Sequence, residues 1–229
     1  MNQFVLVALT AALLALHNYY IEVQHQTRIT SPQLKLTYFD GRGRAELSRL
    51  ILAAGNVSFI DERLDREAFL AIKSKLPLGQ VPVLEVDGTT YSQSMAIARY
   101  AAKITGLYPQ DPLECLRVDM VSESLVDVRM AILEIKYRTP DEAARNVKTK
   151  KLLDESLPKT LKLLEGFVHP GPFFMGDNMT YADIQLFDLI MNGMLDISTN
   201  FALKDYPNLA ALVEMVQSNP NVAAYLAKL

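Results

Sequence analysis

The chain has 229 residues, enough for one large domain or two small ones. Half of the residues are hydrophobic and 21% are charged, so disorder and collagen are excluded. The 23 basic and 26 acidic residues leave a formal charge of −3 and are interleaved, which excludes the basic patch of a nucleic-acid-binding protein. The single cysteine, Cys115, cannot form an internal disulfide or a thiolate zinc cluster.

Residues 1–33 are predicted to form a hydrophobic extension and a polar spacer. The apolar block of residues 4–16 is shorter than the ~20 residues that a membrane-spanning helix needs. It resembles the apolar region of a signal peptide, but no Lys or Arg precedes it and no small-x-small cleavage site follows. Two interpretations stay open, a targeting segment and an inert extension. This block is the only segment suited to membrane contact.

Strand and helix patterns alternate from Leu34 onwards. The spacing of apolar residues predicts strands over 34–39, 57–62, 81–86 and 89–91, and helices over 44–54, 65–75 and 93–104. Asp87-Gly88 supplies the turn of a hairpin between the last two strands. The order βαβαββα predicts a small α/β domain over residues 34–105, with a four-stranded sheet of parallel and antiparallel pairs.

A linker is predicted over residues 106–113, followed by an all-helical domain over residues 114–229. A second helix spans about 141–167, where Pro158 should kink or split it. Thr180 and Asp183 form a capping box, and Pro207 and Pro220 each open a further helix. The first helix of this domain carries an apolar seam at spacings of three and four residues: Val118, Val121, Leu125, Val128, Ile132 and Ile135.

Two short segments have a pattern typical of peptide binding. The Val81-Pro82 bond stands before a strand and can be cis, which would leave the backbone of Val81 free to pair with an extended peptide. Gln93-Ser94 opens a helix, whose free N–H groups favour a carboxylate. Taken from these residues alone, a turn proline and an ordinary N-cap explain the same patterns.

Three ordered motifs carry a resemblance to the cytosolic glutathione S-transferases. They are LTYFDGRGRAE at residues 36–46, LGQVPVL at 78–84 and QSMAIARY at 93–100. The closest similarity is to the sigma class, which includes glutathione-dependent prostaglandin D synthases, and it covers residues 34–229. The resemblance implies a thioredoxin-like N-terminal domain followed by a helical domain. The hydrophobic extension is a departure from the family.

The resemblance also implies catalytic roles for Tyr38 and Arg44. Tyr38 occupies the place of the family's catalytic tyrosine, and a phenol that stays protonated at pH 7 can donate a hydrogen bond to a sulfur anion. Arg44 matches an arginine that would orient the phenol and add a positive field.

Further residues match the family's glutathione-binding positions. Val81, beside Gln80 and Pro82, would pair with the cysteinyl part, and Gln93 and Ser94 would hold the γ-glutamyl carboxylate. Lys73 would reach the glycine carboxylate. Phe69 stands where many sigma-class enzymes carry a tryptophan, so an indole contact is lost. Asp119 would reach across a dimer interface, although a solvated helix acid explains it nearly as well.

The function implied is that of a dimeric glutathione transferase acting on small hydrophobic electrophiles in detoxification, with glutathione as co-substrate and no prosthetic group or metal. A prostaglandin-type isomerase and a non-catalytic member of the fold are the alternatives. A cytoplasmic location is implied, with the secretory pathway or a membrane as the alternative. Four side chains of the first helix of the helical domain have two possible roles, contact with the electrophile or packing between helices. They are Met130, Leu133, Glu134 and Tyr137.

Overall fold

The structure is a computed structural model that describes residues 32–168 and 170–229. Leu34–Leu229 form one compact unit. The apolar block predicted at residues 4–16, and nearly all of the predicted extension, lie outside the described residues. Among the helices of the described part, none is long and apolar enough to cross a membrane.

A four-stranded sheet forms the first part of this unit. Its strands are β1 (Leu34–Phe39), β2 (Ile60–Leu64), β3 (Val83–Val86) and β4 (Thr89–Ser92), in the order β2-β1-β3-β4. β1 pairs with β2 in parallel, whereas the β1–β3 and β3–β4 pairs are antiparallel. The predicted mixed sheet is therefore confirmed.

Three helices pack around the sheet: α1 (Glu46–Ala54), α2 (Arg66–Ile72) and α3 (Ser94–Ile104). The second strand was predicted to begin at Val57 but begins at Ile60. The reason is that Asn56 has a positive φ of 53° and the Val57 N–H donates to the carbonyl of Leu52 at 2.9 Å. These residues therefore close the end of α1 before the strand can start.

Helices make up the rest of the unit. They are α4 (Pro112–Arg138), α5 (Glu142–Lys151), α6 (Leu157–Glu165), α7 (Tyr181–Asp188), α8 (Pro207–Ser218) and α9 (Pro220–Leu226). The predicted all-helical character of this half is confirmed. All six residues of the predicted seam on α4 are buried, so the spacing of three and four residues identifies the face that packs against the core.

Local signals in the sequence explain how these helices begin and end. Pro158 lies in the first turn of α6, and a π-helical segment at Leu152–Ser156 separates α5 from α6, so the expected interruption is present. The capping box of Thr180 and Asp183 is formed, and Pro207 and Pro220 each occupy the first turn of a helix.

Candidate active site

A cleft of about 820 Å³ lies between the loop that follows β1 and the helical half of the unit. One side, which we call the sheet wall, consists of Tyr38, Gly43, Arg44, Gln93 and Ser94. The other side, the helical wall, consists of Leu133, Tyr137, Arg138, Met191 and Leu195. The cleft continues into a second cavity of about 220 Å³, which contains Gln93 and Ser94. Gly43, Arg44 and Leu133 line both cavities, so the two cavities adjoin each other.

Tyr38 stands near the end of β1 and lines the larger cavity. The Tyr38 Oη accepts a hydrogen bond from the backbone N–H of Arg44 at 3.2 Å. The Arg44 side chain is exposed and lines the cleft. The backbone of Arg44 thus contacts the phenol oxygen, and the orienting role that the sequence interpretation gave to Arg44 stays a prediction.

Gly43 allows the loop to pass close to the phenol. Its φ is +45°, a region that glycine adopts without steric cost. A Cβ atom at this position would lie 2.6 Å from the Tyr38 Oη, far inside van der Waals contact. Both the backbone angle and the close approach therefore require glycine here.

Arg49 holds the same loop from below and was missed by the sequence analysis. Its side chain is 0% exposed, its Nη1 donates to the Gly41 carbonyl at 2.7 Å, and its guanidinium carbon lies 5.9 Å from the centroid of the Tyr38 ring. It forms ion pairs with Glu46 at 3.2 Å and with Asp61 at 2.9 Å. A charged residue inside the apolar run of α1 was the signal that could have identified it.

The carboxylate of Glu46 connects this network to the end of the chain. Burial raises the pKa of Glu46, and repulsion from Asp188 adds to the effect. The Tyr225 hydroxyl on α9 donates to Glu46 at 3.0 Å, and burial raises the pKa of Tyr225 so that it remains a donor. A hydrogen-bonded path therefore runs from α9 through Glu46 and Arg49 to the loop at Tyr38.

Gln93 and Ser94 place the N-terminus of α3 in the smaller cavity. Gln93 precedes the helix with φ +79° and ψ 108°, and no side chain of the described residues caps this end. A positive φ at a residue other than glycine is sparsely populated and is often found at ligand sites. The free N–H groups of the first turn make this end suitable for a carboxylate.

Gln80, Val81 and Pro82 form the segment that leads into β3. The Val81-Pro82 peptide bond is cis, and the β1–β3 ladder ends at the pair Thr37 and Val83, so Val81 lies beyond the paired part of β3. Neither Gln80, Val81 nor Pro82 is among the residues that line the two cavities.

Phe69 and Lys73 adjoin Tyr38 through a row of aromatic rings. The ring centroids of Tyr38 and Phe39 are 5.5 Å apart, and those of Phe39 and Phe69 are 5.1 Å apart. The Lys73 Nζ lies 6.0 Å from the centroid of Phe69. The structure therefore places both residues on the same side of the molecule as Tyr38, one ring further from the cleft.

Asp119 lies in a separate cluster. Its carboxylate accepts hydrogen bonds from the Tyr181 hydroxyl at 2.6 Å, the Tyr108 hydroxyl at 2.9 Å and the Arg99 Nε at 3.2 Å. These bonds outweigh the effect of burial and lower its pKa. These bonds occupy three of the about four acceptor positions of a carboxylate. The role of Asp119 across a dimer interface stays a prediction, and it would use the remaining acceptor position.

Polar residues that the sequence analysis missed join the sheet wall to the helical half. The Arg42 Nη1 donates to the Asn192 Oδ1 at 2.6 Å, and the Asn192 Nδ2 donates to Asp188 at 2.7 Å. Arg129 forms an ion pair with Asp188. These side chains lie up to 150 residues apart in the chain, so no local pattern could have predicted their contact.

Three of the four side chains that were left open for the electrophile's pocket line one of the two cavities. Met130 and Leu133 line the smaller cavity, and Leu133 and Tyr137 line the larger one. Glu134 lines neither cavity. Its carboxylate accepts from the Lys148 Nζ at 3.0 Å, so the structure places it in helix packing.

Comparison with known proteins agrees with this architecture. The N-terminal domain model of the glutathione S-transferases matches residues 34–103, and their C-terminal domain model matches residues 126–229. Hematopoietic prostaglandin D synthase of Gallus gallus is 34% identical over 197 residues, which cover 86% of this chain and 96% of that protein. A glutathione S-transferase of Anopheles gambiae is 36% identical over 199 residues, covering 86% and 97%.

A solved structure, prostaglandin synthase D of Nilaparvata lugens, superimposes with a TM-score of 0.78 at 33% identity and covers 86% of this chain and 98% of its own. The mixed sheet and the helices that follow it, which the two domain models match, have the glutathione S-transferase fold. The chain belongs to the glutathione S-transferase family. The family and the fold class predicted from the sequence are confirmed.

Proposed function

We propose that this protein is a glutathione transferase in which Tyr38 donates a hydrogen bond to the thiolate of bound glutathione. The observation that carries the proposal is the bond from the Arg44 N–H to the Tyr38 Oη at 3.2 Å. Because the phenol oxygen already accepts from the backbone, its own proton is available to an anion in the cleft. Accepting one hydrogen bond also strengthens the bond that a hydroxyl donates.

The energy required is within reach of this arrangement. A thiol with a pKa of about 8.5 is only ~3% ionised at pH 7, and lowering its pKa by two units takes about 2.7 kcal/mol. A hydrogen bond to a charged group contributes about 1.5–3 kcal/mol. The guanidinium of Arg44, which lines the same cleft, would add a favourable positive field.

Glutathione would lie along the sheet wall. We propose that its γ-glutamyl carboxylate binds the N-terminus of α3 at Gln93 and Ser94, where no side chain of the described residues caps the helix. Val81, next to Gln80 and Pro82, would pair with the cysteinyl backbone. Lys73 would attract the glycine carboxylate. Phe69 would contact the peptide through its ring.

The reaction that follows is attack by the thiolate sulfur on an electrophile held against the helical wall. Both reactants then lie in one cleft, which makes a bimolecular attack nearly unimolecular. Detoxification by conjugation fits this chemistry. It requires glutathione as a co-substrate, and we propose no prosthetic group or metal.

A glutathione-dependent isomerase of the prostaglandin type is the second candidate. It is favoured by the similarity to the prostaglandin D synthase of Gallus gallus and uses the same thiolate. Incubation with a prostaglandin endoperoxide, followed by product analysis, separates the candidates, because an isomerase returns free glutathione whereas conjugation consumes it.

We also propose that the protein forms a homodimer in the cytoplasm. The support for a dimer is an apolar groove at the edge strand β4, where Tyr91 is 54% exposed. Sedimentation at low concentration tests it, and a stable monomer would remove Asp119 from the site. Mass spectrometry of the mature N-terminus tests the location, since a start near residues 17–30 would indicate removal of a leader.

Tyr38→Phe is the direct test of the proposed function. Ultraviolet difference spectra of the glutathione complex should show a thiolate band near pH 7 that is lost in Tyr38→Phe, with kcat/KM for conjugation falling about 10- to 100-fold. Tyr206→Phe removes a hydroxyl that lies outside the cleft, where it donates to the Pro158 carbonyl, and is the matched control. A wild-type complex that binds glutathione without a thiolate band would contradict catalysis and favour a non-catalytic member of the fold.

A further inference from the structure

The larger cavity is surrounded mainly by positive charge. Its lining includes four cationic side chains and two acidic ones, Asp40 and Asp196. The chain as a whole has a formal charge of −3. The local excess of positive charge is therefore opposite in sign to the charge of the protein. The four cations are Arg42, Arg44, Lys136 and Arg138.

Neighbouring side chains already neutralise both acids. Asp196 forms an ion pair with Lys136 at 2.5 Å, and Asp40 forms one with the Arg63 guanidinium at 3.2 Å. The acids therefore do not offset the remaining cations of the lining.

The cations differ in whether they have partners. Arg42 donates to the amide oxygen of Asn192 at 2.6 Å. The side chains of Arg44 and Arg138 form no hydrogen bond or ion pair with residues 32–168 and 170–229. Two guanidinium groups thus line the cavity with their donors unused.

Apolar surface lies between these charges. Phe39, Leu133, Met191 and Leu195 line the cavity together with the ring of Tyr137. A volume of about 820 Å³ is in the range that holds a small organic ligand. The cavity therefore suits a molecule with an apolar body and an anionic group.

The two free guanidinium groups lie on opposite walls. Arg44 belongs to the sheet wall, beside the Tyr38 hydroxyl, where its field acts on the sulfur in the proposed function. Arg138 is the last residue of α4 on the helical wall. Of these two unbonded guanidinium groups, Arg138 is then the one left for an anion carried by the second substrate.

We propose that the electrophile accepted by this enzyme carries a carboxylate, which the Arg138 guanidinium binds. This inference rests on the proposed transferase function and narrows its substrate class. A planar guanidinium can bind both oxygens of a carboxylate at once. A cation in the last turn also stabilises the helix end, but that effect does not depend on the charge of the substrate.

An unsaturated ketone illustrates the reaction. The thiolate forms a bond to the β-carbon while the π electrons of the C=C bond move onto the carbonyl oxygen as an enolate. Water then supplies a proton to the α-carbon. No group leaves, and no oxidant or reductant is consumed. The carboxylate takes no part in the bond changes and serves only for binding.

A matched pair of electrophiles tests the inference. The probes are 4-(3-oxobut-1-enyl)benzoic acid and its methyl ester, compared by kcat/KM in the wild type, Arg138→Gln and Arg117→Gln. Arg117 is exposed on the same helix and lines neither cavity. We expect the wild type to prefer the acid about tenfold over the ester, and Arg138→Gln to abolish most of that preference. Arg117→Gln should retain it.

High salt gives a second measurement, because 0.5 M NaCl screens a partly exposed ion pair and should reduce the preference. Equal use of acid and ester by the wild type would overturn the inference. An acid-to-ester ratio that is the same in Arg138→Gln as in the wild type would also overturn it.

A binding measurement separates this inference from the proposed function. The saturated analogues, 4-(3-oxobutyl)benzoic acid and its methyl ester, cannot react with a thiol, so calorimetry reports binding alone. Tighter binding of the acid that is lost in Arg138→Gln supports the inference even if the thiolate band is absent. Equal binding of acid and ester, in a protein that does form the thiolate, refutes the inference and leaves the transferase function intact.

Discussion

The two walls of the cleft are built in different ways. Positions on the sheet wall are fixed by the backbone and by buried contacts, with positive φ angles at Gly43 and Gln93 and the fully buried Arg49 beneath the loop. The helical wall consists of side chains that project from a helix surface, and Tyr137 is 67% exposed. The sheet wall thus suits one constant ligand, whereas the side chains of the helical wall can be replaced without disturbing the backbone. We therefore expect substitutions beneath the sheet wall to lower both the stability of the protein and its affinity for glutathione.

The largest expected effect is that of Arg49→Gln. Removing one partner of a buried ion pair leaves Glu46 without its cation, and such changes cost about 3–5 kcal/mol of unfolding free energy. Glutathione KM should rise more than the KM of the electrophile, because the loop at Tyr38 loses its support. Urea denaturation and steady-state kinetics measure both effects.

Arg63→Gln is the matched control for Arg49→Gln. Arg63 belongs to the same network but its side chain is 31% exposed, so we expect a loss below about 1 kcal/mol. Equal losses of unfolding free energy in the two variants would contradict the claim that the sheet wall depends on the buried ion pairs of Arg49.

Gly43→Ala is expected to have the next largest effect, and it acts on catalysis. Its Cβ would lie 2.6 Å from the Tyr38 Oη, so either the loop or the ring must move. We expect the pKa of bound glutathione's thiol to rise by about one unit, with a tenfold loss of kcat/KM at pH 7. Gly41→Ala has no atom within 4 Å of the added Cβ and should behave as wild type; similar losses in both would contradict this explanation.

The buried carboxyl group of Asp183, on α7, should make the stability of the protein depend on pH. Burial raises its pKa from 3.8 to about 6, so the folded state binds this proton more tightly than the unfolded state. The resulting stability is fully present below pH 4 and is lost as the pH rises through 6. Between pH 7 and pH 5 this group should add about 1 kcal/mol.

Asp183→Asn cannot titrate and should lack that increment, which urea denaturation at the two pH values would reveal. Glutathione KM should stay near the wild-type value, since Asp183 supports α7 and lies outside the sheet wall. An identical change with pH in wild type and variant would assign the effect to other groups.

Phe69→Trp is expected to have the smallest effect. An indole N–H at this position adds one hydrogen-bond donor toward glutathione, worth about 1 kcal/mol, so KM for glutathione should fall about fivefold. Leu70→Trp, at an exposed neighbour on α2, is the control and should leave KM unchanged. A fall in both variants would indicate a general effect of the added ring.

The sequence predicted the fold better than the site because the fold depends on local patterns. The seam of α4, the capping box at Thr180 and the prolines that open α8 and α9 are each encoded within a few residues. The bonds from Arg42 to Asn192 and from Tyr225 to Glu46 join residues 150 or more positions apart, so no local pattern contains them. Short motifs located Tyr38 and Gln93, but the backbone role of Arg44 required coordinates.

The hydrogen bond from Tyr225 to Glu46 has a practical consequence for handling this protein. Tyr225 lies only four residues from the final Leu229, yet it belongs to the network that supports the loop at Tyr38. A purification tag fused directly after Leu229 would disturb the helix of Tyr225, and the effect would reach the loop at Tyr38 through Glu46 and Arg49. Fusions are therefore better separated by a flexible spacer, with enzymatic rates compared before and after the tag is cut off.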